Sequence, residues 1–141
     1  MADYIIDASN LVLGRLASFA AKKALLGENI KIVNCEKAVI TGSKATVIAH
    51  YKRKRARGTW SGGPHFPKSP EMVVKRTIRG MLPYKRERGR EAFGRVRCYA
   101  GIPEELAGKK LKTIKEADIS KVPNIKYVAL SEICRQLGAK I

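Results

Sequence analysis

The sequence predicts an α/β domain, and three observations carry that expectation. A strand, an amphipathic helix and a second strand follow one another over residues 4–34, and a unit of this kind crosses over so that its two strands run parallel. Further helical stripes and short apolar runs alternate after it, separated by glycine and proline. The chain has 141 residues and is 45% hydrophobic, enough for one domain, residues 1–141, to bury an ordinary core.

Tyr4, Ile5 and Ile6 make an apolar run ending at Asp7, and Ser9 and Asn10 follow as turn residues, so a buried strand feeds a turn. Leu13, Leu16, Ala17, Ala20 and Ala24 keep the spacing of one buried helical stripe. Arg15, Ser18 and Lys22 lie on another face, and Gly27 can close the helix. Residues 30–34 form the second strand. Val39 and Ile40 lead to Ser43, an N-cap for a helix whose inner face is Val47, Ile48 and Tyr51.

Residues 57–69, RGTWSGGPHFPKS, have no hydrophobic period and read as a functional arm. Ser69 and Pro70 start a helix with Val74, Ile78, Met81 and Leu82 on its apolar face and Pro83 at its end. A basic turn over residues 84–89 precedes a short stripe of Ala92, Phe93 and Val96, then a strand over residues 97–100 closed by the turn at Gly101, Ile102 and Pro103. Residues 104–124 are polar and poorly periodic, which predicts an extended connection with one short helix. Residues 127–130 make a last strand, and Ser131 caps a C-terminal helix that packs Ile133, Cys134 and Leu137 and stops at Gly138.

Charge is the second signal. The chain carries 29 bases and a net charge of +17. Fifteen of those bases fall in residues 52–97, with only Glu71, Glu87 and Glu91 among them, while both flanks are nearly balanced. Ten of the twelve arginines lie there too. A guanidinium fork suits phosphate oxygens and stacks on bases, so the pattern points to a nucleic-acid binder rather than a solubility surface.

Other classes fit less well. A basic membrane helix needs a broad apolar face opposite its charges, whereas these arginines are interrupted by Gly58, Gly62, Gly63, Pro64, Pro67, Pro70, Gly80, Pro83 and Gly89. No apolar run nears the ~20 residues of a membrane span, and the start MADYIIDAS lacks the regions of a signal peptide. A cytoplasmic protein is expected. Cys35, Cys98 and Cys134 are odd in number and widely spaced, without a CxxC pair, and read as small buried thiols rather than disulfide or zinc ligands.

The turn ASNLVLG lacks the spaced glycines of a dinucleotide loop, and TGSK at residues 41–44 lacks the upstream glycine of a phosphate loop, leaving a helix cap. His50 falls on a basic helix, and His65 has no cysteine or carboxylate near it in sequence. No cofactor, metal or small-molecule substrate is expected. Two alternatives remain beside RNA binding in a complex: an RNA-processing or nucleotide-dependent enzyme on the same scaffold, and a free regulatory RNA-binding module.

The binding residues expected on charge and shape are Lys52, Arg53, Arg55, Arg57, Lys68, Lys75, Arg76, Arg79, Lys85, Arg86, Arg88, Arg90 and Arg95. Lys75, Arg76 and Arg79 sit beside the apolar positions of their helix, so packing would aim them outward. Trp60, His65 and Phe66 lie among glycines in the arm, where they either stack on unpaired bases or form a small cluster under the loop.

The segments DASNLVLGRLAS (residues 7–18), NCEKAVITGSK (34–44) and RTIRGMLPYKRERGREAFGRVRCYAGIP (76–103) together resemble the large-subunit ribosomal protein thirteen family, in the right order over residues 4–103. The arm and the tail YVALSEICRQLG are similar to its archaeal and eukaryotic branch, and the compact length to its archaeal members. The resemblance implies a three-layer α/β/α sandwich around a mostly parallel four-stranded sheet with a basic loop and helix extension. It also implies binding to large-subunit ribosomal RNA, neighbouring ribosomal proteins as partners, a monomer when free, and no catalytic centre. Arg79, Gly80, Met81, Leu82, Pro83, Lys85, Arg88 and Gly89 match the family's signature segment.

Overall fold

The computed structural model describes residues 3–59, 61–123 and 126–140. Its elements run β1 (Asp3–Asp7), α1 (Leu13–Leu25), β2 (Asn29–Val33), β3 (Val39–Thr41), α2 (Lys44–Ala56), α3 (Pro70–Gly80), α4 (Glu87–Gly94), β4 (Val96–Cys98), β5 (Tyr127–Ala129) and α5 (Leu130–Gln136). β1 and β2 are parallel, with Ile6 opposite Ile32, as the crossover through α1 requires. β4 adds to the far edge of β2, again parallel, with Val96 opposite Ile30.

Alternation along these strands divides the apolar residues between two faces. Ile6, Ile30, Ile32 and Val96 join the main core with α1, α3 and α4, while Ile5 and Val33 pack on the other face against Leu106, Tyr99 and Leu111. The second face is thus covered by the polar connection after β4. That segment folds into three short 3₁₀ turns, Glu104–Leu106, Lys115–Ala117 and Ile119–Lys121, in place of the single short helix expected.

The α/β class and the mostly parallel sheet stand, but the four strands implied for that sheet are distributed differently. Three pair in parallel, and only Lys112 bridges to the outer edge of β1, its N–H donating to the Ile5 carbonyl at 2.9 Å. β3 and β5 form a separate antiparallel ribbon, with Val39 opposite Ala129.

All five residues of the stripe expected on α1 are buried, together with Ala21. Because four of the six buried positions are alanine, the sheet, α3 and α4 all approach the helix closely. Of the apolar face expected for α3, Val74, Ile78 and Leu82 are buried, and so is Val73, but Met81 is 44% exposed. The helix ends at Gly80, so the helical period no longer aims residue 81 at the core, and the end comes before Pro83.

Several local expectations need correction. Ser43 caps α2 through Thr46 N–H, whereas Ser69 stands at the N-cap of α3 without a side-chain bond and Ser131 lies inside α5, whose N-cap is Ala129. The basic stretch over residues 84–89 is a turn only as far as Arg86, since α4 begins at Glu87. Cys35 and Cys134 are buried, but Cys98 is half-buried. The Cys98 thiol beside Cys35, with burial, raises the pKa of Cys35, and burial pushes the Cys134 thiol up to about 12.

Two contacts hold the ends of these elements in register. Asp7 accepts from Ser9 N–H at 3.0 Å, Ser9 Oγ at 2.7 Å and Asn34 Nδ2 at 3.0 Å, tying the turn after β1 to the turn after β2. Gly89 in turn lies on the Pro83 carbonyl so closely that a Cβ would overlap it. The same carbonyl accepts from Arg86 N–H at 2.9 Å, which folds the corner between α3 and α4 tightly against itself.

Gly89→Ala is expected to destabilise the fold by at least about 1–3 kcal/mol through overpacking. Gly94→Ala, whose Cβ would meet nothing within 4 Å, should be neutral or slightly stabilising. Urea midpoints of the two variants check this, and equal effects would remove the steric argument.

Burial pushes the Asp7 carboxyl upward, but its hydrogen bonds outweigh this and hold it below the usual carboxylate range. A depressed folded-state pKa stabilises above the unfolded value, about 3.9, and the benefit is lost as pH falls through the folded value. The stability gap between wild type and Asp7→Ala should therefore be full at pH 7 and shrink below about pH 4. A gap independent of pH would refute the assignment.

Candidate nucleic-acid interface

The basic residues of segment 52–97 ride on elements fixed by the core. α2 buries only Val47 fully, so its C-terminal half projects, and Lys52, Arg53, Arg55 and Arg57 are exposed. Cations in this last turn also complement the negative end of the helix dipole. The corner between α3 and α4 does the same for the second cluster: Leu82 is buried inside it and Lys85, Arg86, Arg88 and Arg90 stand outside.

The descending half of the arm is packed rather than free. Phe66 is half-buried against the main core and lies 5.7 Å from the Tyr51 ring. Arg55 donates to the Phe66 carbonyl at 2.6 Å from one side, and Arg76 donates to the His65 carbonyl at 2.9 Å from the other. Lys54 stands over both rings, 5.4 Å from Tyr51 and 5.6 Å from Phe66, and Arg76 also covers Phe66. For Phe66 the cluster under the loop is therefore the arrangement found, while His65 and Lys68 are exposed. Trp60 lies outside the described residues.

The expected residues thus fall into two groups. Lys52, Arg53, Arg57, Lys68, Lys85, Arg86, Arg88 and Arg90 are exposed and make no side-chain hydrogen bond, ion pair or ring contact with the described residues. Arg55 and Arg76 each use one N–H on the arm and keep others, since a guanidinium has five. Lys75 stands over Phe93 at 4.9 Å, and Arg79 over Tyr84 at 4.9 Å.

Arg95 belongs elsewhere: it donates to the Ala24 carbonyl at 2.9 Å and lies 4.0 Å from Glu91, so it closes the C-terminal end of α1. Like Arg55 and Arg76, it spends only part of its five N–H donors on this structural role. Sequence reasoning passed over Lys54 and Tyr84. Lys54 follows Tyr51 by three residues on one helix, a spacing that brings side chains together, and Tyr84 is part of the segment RGMLPYK.

Among the described residues there are three ion pairs, Lys31–Asp3, Lys44–Glu132 and Arg95–Glu91. Of the fifteen bases in segment 52–97, only Arg95 is in one. The positive charge here is uncompensated within the fold, in a region exposed on α2, the arm and the α3–α4 corner. No group of three or more His, Cys, Asp or Glu among the described residues is placed to hold a metal ion, and no described helix is long and apolar enough to cross a membrane.

The family model for ribosomal protein L13 matches residues 2–105. The large ribosomal subunit protein uL13 of Methanosarcina barkeri is 51% identical over 137 residues, covering 96% of this chain and 98% of that protein. The uL13 proteins of Archaeoglobus fulgidus and Methanococcoides burtonii are 52% and 47% identical, covering 95% and 96% of this chain and 86% and 98% of their own.

Phe66→Ala is expected to release the arm from α2 and α3. Amide exchange at His65, Phe66 and Lys68 should accelerate, with a stability loss of about 1–2 kcal/mol, below the ~3–5 of a fully buried phenylalanine. Unchanged exchange would show that the two arginine bonds alone hold the arm.

Proposed function

The chain belongs to the ribosomal protein L13 family, whose members are structural proteins of the ribosome and not enzymes, and from that premise we propose that segment 52–97 binds and stabilises large-subunit ribosomal RNA. The protein is read as one α/β domain with this segment as its RNA-binding extension and neighbouring large-subunit proteins as further partners. The phosphate-neutralising residues are Lys52, Arg53, Arg57, Lys68, Lys85, Arg86, Arg88 and Arg90, with Arg55, Lys75, Arg76, Arg79 and Arg95 held partly by the protein itself.

The observation that carries this reading is the uncompensated charge: fourteen of the fifteen bases in the segment lack a carboxylate partner among the described residues. Self-repulsion among them is relieved by a polyanion, and each neutralised phosphate releases a counterion. Substituting Lys85, Arg86, Arg88 and Arg90 by glutamine is expected to weaken binding to a large-subunit RNA transcript while leaving the circular dichroism spectrum unchanged. The slope of log K against log salt should fall by about 0.7–0.9 for each contact removed. The same change at Lys109, Lys110, Lys115 and Lys121, which are exposed and outside the segment, should do far less. Equal losses from both quartets would mean that total charge, not placement, governs binding.

A further inference from the structure

An open cleft of about 670 Å³ lies between the C-terminal half of α2, the arm, α3 and the start of α1. Its volume is in the range of sites that enclose small ligands, about 300–1,000 Å³. Lys54, Arg57, Arg76 and Arg79 line it, and no carboxylate does. Three rings, Tyr51, Phe66 and Tyr84, line it with them. A convex basic surface meets the outside of an RNA duplex, whereas a concave one with rings among its cations suits an unpaired nucleotide, whose base has a face to stack and whose phosphate has charge to neutralise.

We propose that this cleft receives a single unstacked nucleotide of the bound RNA, its phosphate among Lys54, Arg57, Arg76 and Arg79 and its base against Tyr84. The inference rests on the RNA-binding reading above and adds a specific subsite to it. Three features prepare the site. Arg76 is fixed by the His65 carbonyl, Arg79 is held over the Tyr84 ring, and Tyr84 is itself 39% exposed. Arg76 and Arg79 are therefore oriented before the ligand arrives, and the ring that takes the base is open to it. At Gly80 a Cβ would meet nothing within 4 Å, so the backbone there lines open space.

The test is 2′-hydroxyl acylation of a large-subunit RNA transcript, read at single-nucleotide resolution, with the full chain at saturating concentration. Wild-type protein should protect one unpaired nucleotide whose protection falls about tenfold with Tyr84→Ala or Arg79→Gln, while the rest of the footprint stays. Tyr84→Phe, which keeps the ring, should retain the protection and so separates stacking from folding. Arg86→Gln with Arg88→Gln should weaken all protections together, recoverably at higher protein concentration. A saturated footprint that is the same for wild type, Tyr84→Ala and Arg79→Gln would overturn the cleft proposal and leave the RNA-binding reading intact. No footprint from wild-type protein would overturn both.

Discussion

The arrangement depends first on how closely other elements can approach α1. Ala17, Ala20, Ala21 and Ala24 are all buried, and between them they let the sheet, α3 and α4 press on one helix from different sides. A leucine in place of any of these would fill space already taken by a neighbour, and cores tolerate such overpacking poorly. The orientation of α3 then determines which way Lys75, Arg76 and Arg79 face. The backbone contact of Gly89 on Pro83 carries that orientation around the corner into α4. Placement of the cations is thus a consequence of small residues in the core rather than of the cations themselves.

Concentrated charge with few carboxylates poses a problem that the fold meets in two ways. Long basic side chains lie along aromatic rings, as Lys54 does over Tyr51 and Phe66 and Arg79 over Tyr84, so their stems and planes find contacts without being neutralised. The remaining bases are spread over the projecting half of α2 and the outside of the α3–α4 corner, where water screens them. Pairing them with glutamate would have quieted the repulsion but, on the RNA-binding reading proposed above, would also have competed with phosphate. Of the three acids in the segment, only Glu91 is in an ion pair, and its partner is Arg95, which serves the end of α1.

Much of this was legible in the sequence, for identifiable reasons. Periodicity located α1 and most of the apolar face of α3, because a packed amphipathic helix must repeat its stripe; it misled at Met81, where the helix had already ended, and at Val96, which keeps the stripe of α4 but lies in β4. Charge asymmetry marked segment 52–97 as a region but could not sort its members. Arg55, Arg76 and Arg95 bond to carbonyls 11 or 71 positions away, and nothing in local composition distinguishes such an arginine from one facing solvent. The pairing of β3 with β5, and the replacement of a fourth parallel strand by the bridge at Lys112, were hidden for the same reason: they join segments far apart in the chain through backbone groups that any residue possesses.

In an open α/β sheet the usual place for a ligand is beyond the C-terminal ends of the strands, and here the backbone occupies much of that place itself. Ala8 N–H donates to the Val33 carbonyl at 3.0 Å, Asn34 N–H to Gly101 at 3.0 Å and Cys35 N–H to Tyr99 at 3.2 Å. Glu36 accepts from Gly101 N–H at 2.9 Å, and Asp7 holds Asn34. Carboxylates that could serve chemistry elsewhere thus satisfy turns and lock the three strand ends to one another. The gain is rigidity. A sheet whose ends are tied and whose helices sit on an alanine stripe gives the basic segment a firm base, and on the RNA-binding reading proposed above the side chains held on it, Lys54, Arg55, Arg76 and Arg79, cost less affinity to order than the free ones.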